Sequence, residues 1–401
     1  MRNVANVLPA AGWLTVMGGI RRHVEREREG AKLPAVRSQG SLGTGRRISG
    51  NSLTIQRAVG GPARYGSTNQ ASGRMYWRSN VHAVCGRNWR NAMKAVVLHE
   101  YGGPEKLKFE DKVPDPQVSG DTVLIAASAA SVNPIDWKVR SGARQNDFPL
   151  SFPAILGRDV SGVVRAVGAN VKHFKLGDRV LALSNATYAE LVAVPDSDVT
   201  HLPDGVDLAD AAAVPLIALT GDQLVRHAAK LQKGQTILVT GAVGSVGRAA
   251  VHTAKKMGAK VIAGVRKKQL ENARALGVSG LLAIDDDEAI AKLGVLDAIA
   301  DTVGGEVAAR VIAKVKQGGS FGYASVLPEG TAALHPTVKI TRVFAKADPS
   351  KVREFADDLR DGKFVLPIGR RLPLRDAAEA QALAEKGDVG KIILLMPDPP
   401  K

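Results

Sequence analysis

The alternation of hydrophobic and polar positions divides the chain into three parts. Residues 1–92 show no sustained period of either kind, and segments such as RSQGSLGTGRRISGNS are rich in Arg, Gly and Ser. A segment of that composition buries too little apolar surface to offset the conformational entropy lost on folding. We therefore predict that residues 1–92 form a disordered basic extension and that the folded protein begins near Met93.

From Met93 to about Pro215, short β-branched runs are separated by Gly, Pro and Asp. The runs are KAVVLHE, TVLIAASAASV, SGVVRAVG, RVLAL and AELVAVP. Runs of this length between turn-forming residues indicate strands. This part of the chain is therefore predicted to be a β-rich, barrel-like domain.

After Gly234 the pattern changes to strands that alternate with helices. The successive segments are TILVTG, SVGRAAVHTAKKMG, KVIAGV, QLENARALG and LDAIADTVG. This order predicts an α/β fold with a doubly wound parallel sheet covered on both faces. Towards the end of the chain we predict helices over residues 350–361 and 374–386, followed by a closing strand in GKIILLM.

The formal charge of +16 is concentrated at the amino terminus. Residues 1–92 hold 15 Lys and Arg against 3 acidic residues, so the remainder is only mildly basic. Nucleic acid is therefore not an expected partner, although an RNA-binding arm with Trp77 and Trp89 as stacking residues is the alternative interpretation. The longest early apolar segment, residues 8–20, is shorter than a membrane span. The single cysteine, Cys85, has no disulfide partner within the chain, so a reducing, cytoplasmic location is predicted.

The clearest chemical signal is a glycine-containing turn between a strand and a helix. The turn consists of Ala242, Val243, Gly244, Ser245, Val246 and Gly247. In a dinucleotide fold, Gly244 lets the backbone approach the pyrophosphate, free N–H groups of the helix bind it, and Gly247 permits close packing of helix on strand. Ala242 departs from the first glycine of the general fingerprint, and an ordinary strand-to-helix turn is the alternative.

The residues after the second strand of this unit predict which nicotinamide cofactor binds. An acidic residue there would hold the ribose 2′-hydroxyl of NAD, but the sequence reads VIAGVRKKQ. Arg266 stands at the expected position and Lys267 follows, and a guanidinium suits bidentate contact with a 2′-phosphate. We therefore predict NADPH, the alternative being solvated charges that lead into a helix.

Several segments together resemble the zeta-crystallin-like quinone oxidoreductase branch of the medium-chain dehydrogenases/reductases. They are MKAVVLHEYGGPEKLKFED, SVNPIDWKVRSG, PAILGRDVSGVVRAVGANVKHFKLGDRV, YAELVAVP and ILVTGAVGSVGRAAVHTAKKMGAKVIAG. The resemblance covers residues 93–397. It implies a GroES-like substrate domain from residues 93–215 and 344–401, which encloses a Rossmann domain from residues 216–343. It also implies an active site in the cleft between them and a homodimer.

The resemblance assigns roles to residues that match the family's motifs. Asn133 would reach the nicotinamide or its ribose with Asp136 nearby, and Tyr323 would either donate a proton or only pack. Asn133, Asp136 and Tyr323 are thus the candidate catalytic residues. The further cofactor contacts that the resemblance implies are Thr220, Gly322, Tyr323, Ser325, Phe344 and Lys391.

The sequence departs from the zinc-containing relatives. Those carry a catalytic cysteine and a Gly-His-Glu segment, where this chain has Asn133 and Gly157-Arg158-Asp159, and residues 93–401 contain no cysteine. We therefore expect a zinc-free enzyme. Without a Lewis acid, a quinone or an α,β-unsaturated carbonyl is the expected hydride acceptor, because its delocalised oxyanion needs only hydrogen bonds.

Two alternatives to this function stay open at the level of the sequence. The first is a non-enzymatic NADPH-binding protein that acts as a redox sensor or an RNA-associated module. The second is a reductase that acts on an acyl chain delivered by a carrier protein.

Overall fold

A computed structural model describes residues 92–387 and 389–397 of the chain. The predicted disordered extension therefore lies almost entirely outside the described residues. No helix in the described ranges is long and apolar enough to cross a membrane.

The strands and helices occupy most of the described sequence. The strands are β1 Ala92–Leu98, β2 Leu107–Pro114, β3 Thr122–Val132, β4 Ala154–Ile155, β5 Asp159–Val167, β6 Arg179–Leu183, β7 Leu191–Pro195, β8 Val199–His201, β9 Thr236–Thr240, β10 Lys260–Val265, β11 Gly280–Ala283, β12 Leu296–Asp301, β13 Val315–Tyr323, β14 Lys339–Arg342, β15 Ile368–Pro373 and β16 Lys391–Leu395. The helices are α1 Pro134–Arg140, α2 Pro215–Gln223, α3 Ser245–Lys256, α4 Leu270–Arg274, α5 Asp287–Lys292, α6 Gly305–Ile312, α7 Thr331–Leu334, α8 Pro349–Arg360 and α9 Ala377–Lys386.

The alternating segments after Gly234 form a parallel sheet, as predicted. In the described region its strand order is β11-β10-β9-β12-β13-β14, and each neighbouring pair is parallel. This is the strand order of a Rossmann sheet. Successive strands are added towards one edge as far as β11, and β12 then starts a second series on the other side of β9. The central strands are apolar and buried, as Leu238 and Ile299 illustrate, because helices cover both faces of such a sheet.

The β-rich part forms mainly antiparallel sheets around the long strand β3. This strand pairs with β5, β7 and β16, all antiparallel. The carboxyl-terminal strand β16 thus returns to the first part of the chain, and Ile392 lies opposite Val132. The β-rich character and the closing strand are confirmed, whereas the domain boundaries at residues 215 and 343 stay predictions.

Helix α3 makes close contacts with helices α2 and α8. A Cβ added to Gly221 of α2 would lie 2.6 Å from the Ala250 backbone nitrogen of α3, so only glycine permits this spacing. The side chain of His252 on α3 then meets Asp358 on α8 at 2.8 Å. These contacts fix the position of α3 relative to α2 and α8.

Candidate functional site

A cleft of about 360 Å³ opens where the Rossmann sheet reverses its strand order. This is the position at which open α/β sheets bind their ligands. The Rossmann sheet and its neighbouring helix contribute Leu216, Ile217, Thr220, Gly244, Ser245, Val246, Gly247, Thr302, Ala324, Ser325 and Val343 to its lining, and Phe344 and Ala345 follow them along the chain. The β-rich part contributes Val132, Asn133, Pro134, Ile135, Trp137, Lys138, Arg144, Phe148, Arg158, Ala384, Gly387, Val389, Gly390 and Lys391.

The glycine turn brings the start of α3 to the cleft. Gly244 precedes the helix, and Gly247 packs so closely that an added Cβ would lie 2.1 Å from the carbonyl oxygen of Gly241. Gly241 itself has φ +63°, in the left-handed region that favours glycine. The backbone N–H groups at the helix start are therefore accessible to a pyrophosphate. The sequence interpretation missed Gly241, although this residue directly follows the strand TILVT.

Hydrogen bonds connect the ends of β9 and β12 next to the cleft. The Thr240 hydroxyl donates to Asp301 at 2.5 Å, and the Thr302 hydroxyl donates to the Thr240 carbonyl at 2.7 Å. The Gly304 N–H donates to the second Asp301 oxygen at 2.9 Å. Burial raises the pKa of Asp301, while these donors oppose the rise. The loop that carries the cleft residue Thr302 is thereby fixed.

A second network surrounds Asn133 on the opposite wall of the cleft. The Asn133 amide nitrogen donates to Asp159 at 2.7 Å, and the Lys391 ammonium donates to the Asn133 amide oxygen at 2.7 Å. Lys391 also lies 3.7 Å from Asp159. All three side chains are buried, and Ser131 donates a further hydrogen bond to Asp159. The Asn133 amide is therefore held in one orientation.

Asp136 lies behind Asn133 and does not line the cleft. One of its carboxylate oxygens accepts from the Asn133 N–H at 2.8 Å and from the Tyr188 hydroxyl at 2.9 Å. The other oxygen is buried without a hydrogen-bond partner among the described residues. Burial raises the pKa of Asp136 to about 7, and the charge of Asp159 adds to the rise. A protonated Asp136 is therefore favoured below neutral pH.

We expect Asp136 to make stability fall as the pH rises. Its folded pKa of about 7 exceeds the ordinary 3.8, so the folded protein binds more protons than the unfolded chain between these values. The free energy of unfolding should therefore decrease from pH 4 to 7 and level off above pH 7. Asp136→Asn should remove this decrease, on the order of 3 kcal/mol, in urea unfolding measured at each pH.

Glu271→Gln provides the control for this prediction, because the Glu271 side chain is 85% exposed. The control should keep the wild-type dependence on pH. Parallel curves for the wild type and Asp136→Asn would show that Asp136 stays charged in the folded protein.

Most of the predicted site residues line this one cleft. Those that do are Asn133, Thr220, Gly244, Ser245, Val246, Gly247, Ser325, Phe344 and Lys391. Gly322 and Tyr323 are not among the lining residues. Gly322 packs against the helical segment after α2, since an added Cβ would lie 2.6 Å from the Ala228 Cβ, and the Tyr323 ring lies near Phe321 with a centroid distance of 6.3 Å.

Arg266 and Lys267 lie beyond the cleft lining at the end of β10. Arg266 is exposed, and its Nε donates to Gln269 at 3.4 Å. The Lys267 N–H donates to Asp285 at 2.7 Å, and its ammonium lies 3.8 Å from Asp286. A 2′-phosphate role for these residues thus stays a prediction.

Sequence reasoning missed the buried acid and the cations of the cleft. Asp159 was identified only as a departure from a zinc motif, and Tyr188 was not singled out. Lys138 and Arg144 line the cleft on and just after α1. Their signal in the sequence was weak, because isolated basic residues in a polar segment are typical of a solvated surface.

The described side chains do not fit a metal site. Among the described residues, no group of three or more His, Cys, Asp or Glu side chains is placed to hold a metal ion. Instead, the Tyr188 hydroxyl donates a hydrogen bond to Asp136, and Asp159 accepts one from the Asn133 amide. Cys85 lies outside the described residues.

Comparison with known proteins agrees with this geometry. The alcohol dehydrogenase GroES-like domain family matches residues 119–204, and the zinc-binding dehydrogenase family matches residues 276–394. The quinone oxidoreductase of Homo sapiens is 31% identical over 325 residues, which cover 76% of this chain and 98% of that protein. The chain belongs to the quinone oxidoreductase family.

Solved structures of this family share the fold. The quinone oxidoreductase from Coxiella burnetii has a TM-score of 0.68 and 27% identity, covering 76% of this chain and 99% of its own. That from Pseudomonas syringae pv. Tomato DC3000 has a TM-score of 0.67 and 29% identity, with the same coverage of both chains. The quinone oxidoreductase branch predicted from the motifs is confirmed, and a nicotinamide dinucleotide is the cofactor that this family indicates.

Proposed function

We propose that this quinone oxidoreductase-family member reduces a quinone or an α,β-unsaturated carbonyl with NADPH and without zinc. The observation that carries the proposal is a shared cleft. The start of α3 at Gly244 lines one wall, and the Asn133–Lys391 pair lines the other. A dinucleotide and a small acceptor therefore have adjoining places in one cavity.

The residues of the cleft fit the parts of the cofactor. The helix start at Gly244 and Gly247 would bind the pyrophosphate, and Thr220 and Phe344 would border the nicotinamide end. Arg266 and Lys267 would hold the 2′-phosphate. When bound, the cofactor supplies a hydride.

The protein's own part in the reaction is to bind and position the acceptor. Ile135, Trp137 and Phe148 form an apolar wall on which a conjugated acceptor can pack. In an acceptor that takes a hydride at its β-carbon, an electron pair would move to the carbonyl oxygen, where hydrogen-bond donors would stabilise the charge. We assign proton delivery to solvent, because Tyr323 does not line the cleft.

Arg266→Ala should abolish the preference for NADPH over NADH. Loss of a charge-assisted contact to the 2′-phosphate should lower kcat/KM for NADPH roughly tenfold to a hundredfold and leave NADH largely unaffected. Initial rates with the neutral quinone menadione, measured with both cofactors, test this.

The matched control is Lys292→Ala, which removes a 75% exposed cation on α5. This variant should retain the wild-type ratio of kcat/KM for NADPH to kcat/KM for NADH. Equal losses with NADPH and NADH in Arg266→Ala would assign Arg266 a structural role. Tight NADPH binding without turnover of any acceptor would instead favour the sensor hypothesis.

We also propose a homodimer that forms through β14, the edge strand of the Rossmann sheet. Val326 and Leu334 near this edge are 53% and 78% exposed. An open strand edge with exposed apolar neighbours is suited to pairing with a second copy. A cytoplasmic location stays a prediction.

A further inference from the structure

The charged residues of the cleft are unevenly distributed. Lys138, Arg144, Arg158 and Lys391 line it, whereas no Asp or Glu does so among the described residues. Asp388, which separates two lining residues along the chain, lies outside the described residues. Positioning a neutral acceptor and a nicotinamide does not require four basic side chains in one cavity.

Two of these cations have acidic neighbours beneath the cleft. Lys391 lies 3.7 Å from Asp159. Arg158 donates to Asn185 at 2.8 Å and lies within the electrostatic reach of Asp136 and Asp159. Their charges are therefore largely balanced within the protein.

The other two belong to a group in which positive charge is in excess. We define the cationic cluster as Lys138, Arg144 and Arg342. Arg144 and Arg342 approach the same Asp147 oxygen at 2.6 and 3.4 Å. Within the described part of the chain, no carboxylate forms an ion pair with the Lys138 ammonium. Arg144 and Arg342 thus share the carboxylate of Asp147, and Lys138 adds a third positive charge to the group.

The three cations are packed close together around Phe344. Arg342 and Arg144 lie over the Phe344 ring, 4.5 and 5.8 Å from its centroid. Burial, reinforced by the charges of Arg144 and Arg342, lowers the pKa of Lys138. A bound anion would relieve this like-charge repulsion.

The cluster also lies on the side of the cleft expected to contact the acceptor. Lys138 is on α1, which begins directly after Asn133, and Arg144 follows α1. The helix start that fits a pyrophosphate comes instead from Gly244 in the Rossmann part. Arg342, at the end of β14, reaches the cluster from the Rossmann part, so the cluster and the start of α3 are formed by different residues.

We infer that the cationic cluster binds an anionic oxygen group of the substrate, so that the preferred acceptors are conjugated carbonyl compounds bearing a carboxylate or phosphate. This inference rests on the proposed function. Guanidinium groups bind both anions through paired N–H donors, and Lys138 supplies a third positive centre.

The test compares charged and neutral acceptors of the same reacting group. NADPH oxidation by the full chain is followed with 4-oxopent-2-enoate and its methyl ester, and with crotonyl-CoA and the crotonyl thioester of N-acetylcysteamine. The first pair tests a carboxylate, and the second tests phosphate. Menadione serves as a neutral quinone, and the variants are Lys138→Gln, Arg144→Gln, Asp147→Asn and the surface control Arg274→Gln.

The expected result is a higher kcat/KM for one charged acceptor than for its neutral partner. Lys138→Gln and Arg144→Gln should each lower the ratio of kcat/KM for the charged acceptor to kcat/KM for its neutral partner. The decrease should be roughly tenfold and should come from a higher KM for the charged acceptor. Asp147→Asn removes the competing carboxylate and should raise the ratio two- to fivefold, roughly, which misfolding would not do. Arg274→Gln, whose parent side chain is 68% exposed, should leave the ratio unchanged.

Equal kcat/KM for charged and neutral partners would overturn the inference while the proposed function stands. A parallel loss of NADPH affinity and of turnover with both partners would also overturn it, because the cluster would then serve the cofactor. If no acceptor is reduced, the proposed function fails. A binding measurement then tests the inference. Quenching of tryptophan fluorescence by 4-oxopent-2-enoate that is weaker in Lys138→Gln would support the inference. Equal quenching by the methyl ester would overturn it.

Discussion

Replacing Gly247 by alanine is expected to abolish NADPH-dependent turnover. The new Cβ would lie 2.1 Å from the Gly241 carbonyl oxygen and 2.8 Å from the Ala242 Cα, both backbone atoms that cannot rotate away. Helix α3 must therefore move off the strand, which displaces the N–H groups expected to bind the pyrophosphate. We expect kcat/KM for NADPH to fall at least roughly a hundredfold and stability to fall by about 2–3 kcal/mol.

Steady-state kinetics and NADPH fluorescence titration measure this effect, with urea unfolding in parallel. Gly294→Ala is the matched control, because an added Cβ there meets no heavy atom within 4 Å. Its activity and stability should equal those of the wild type. Wild-type NADPH affinity in Gly247→Ala would show that the start of α3 does not bind the pyrophosphate.

Replacing Asp159 by alanine should cause the largest loss of stability. Asp159 accepts hydrogen bonds from the Asn133 amide and from the Leu216 N–H at 2.6 Å, and it lies opposite Lys391. The substitution leaves a buried ammonium without its counter-ion, which costs about 3–5 kcal/mol. Asn133 also loses the acceptor that fixes its orientation, so turnover should fall in the remaining folded protein.

Urea unfolding at pH 7 measures this loss. Glu288→Ala is the comparison, because Glu288 pairs with Lys292 on the surface, with side chains 78% and 75% exposed. An exposed pair of this kind contributes at most about 1 kcal/mol. A similar small loss in Asp159→Ala would mean that Lys391 becomes neutral or finds water once the carboxylate is gone.

The order of strands and helices was largely predictable from local patterns. The segment TILVT is strand β9, and the helix predicted over residues 350–361 is observed at Pro349–Arg360. These elements are determined by periodicities within one segment, which a sequence displays directly. The antiparallel pairing of β16 with β3 was not predictable in this way, because it depends on residues more than 250 positions apart.

The same distinction applies to the site. The glycine turn is local, and its residues Gly244, Ser245, Val246 and Gly247 line the cleft. The Asn133 network is not: Asp159 is 26 positions from Asn133, and Lys391 is 258. The Tyr188 hydroxyl, which donates to Asp136 and opposes the rise of its pKa, is 52 positions away. Such partners become apparent only once the fold brings them together.

The pairing of β16 with β3 also determines when the reaction site can assemble during translation. Residues 236–342, which form the Rossmann sheet, are synthesised before β16 begins at Lys391. Because nascent chains fold from the amino terminus, this sheet can form while the ribosome is still at work. The Asn133 amide gains its Lys391 partner only after a further 258 residues have been added to the chain. A ribosome stalled near residue 390 therefore carries a nucleotide-binding fold whose opposite wall is still incomplete.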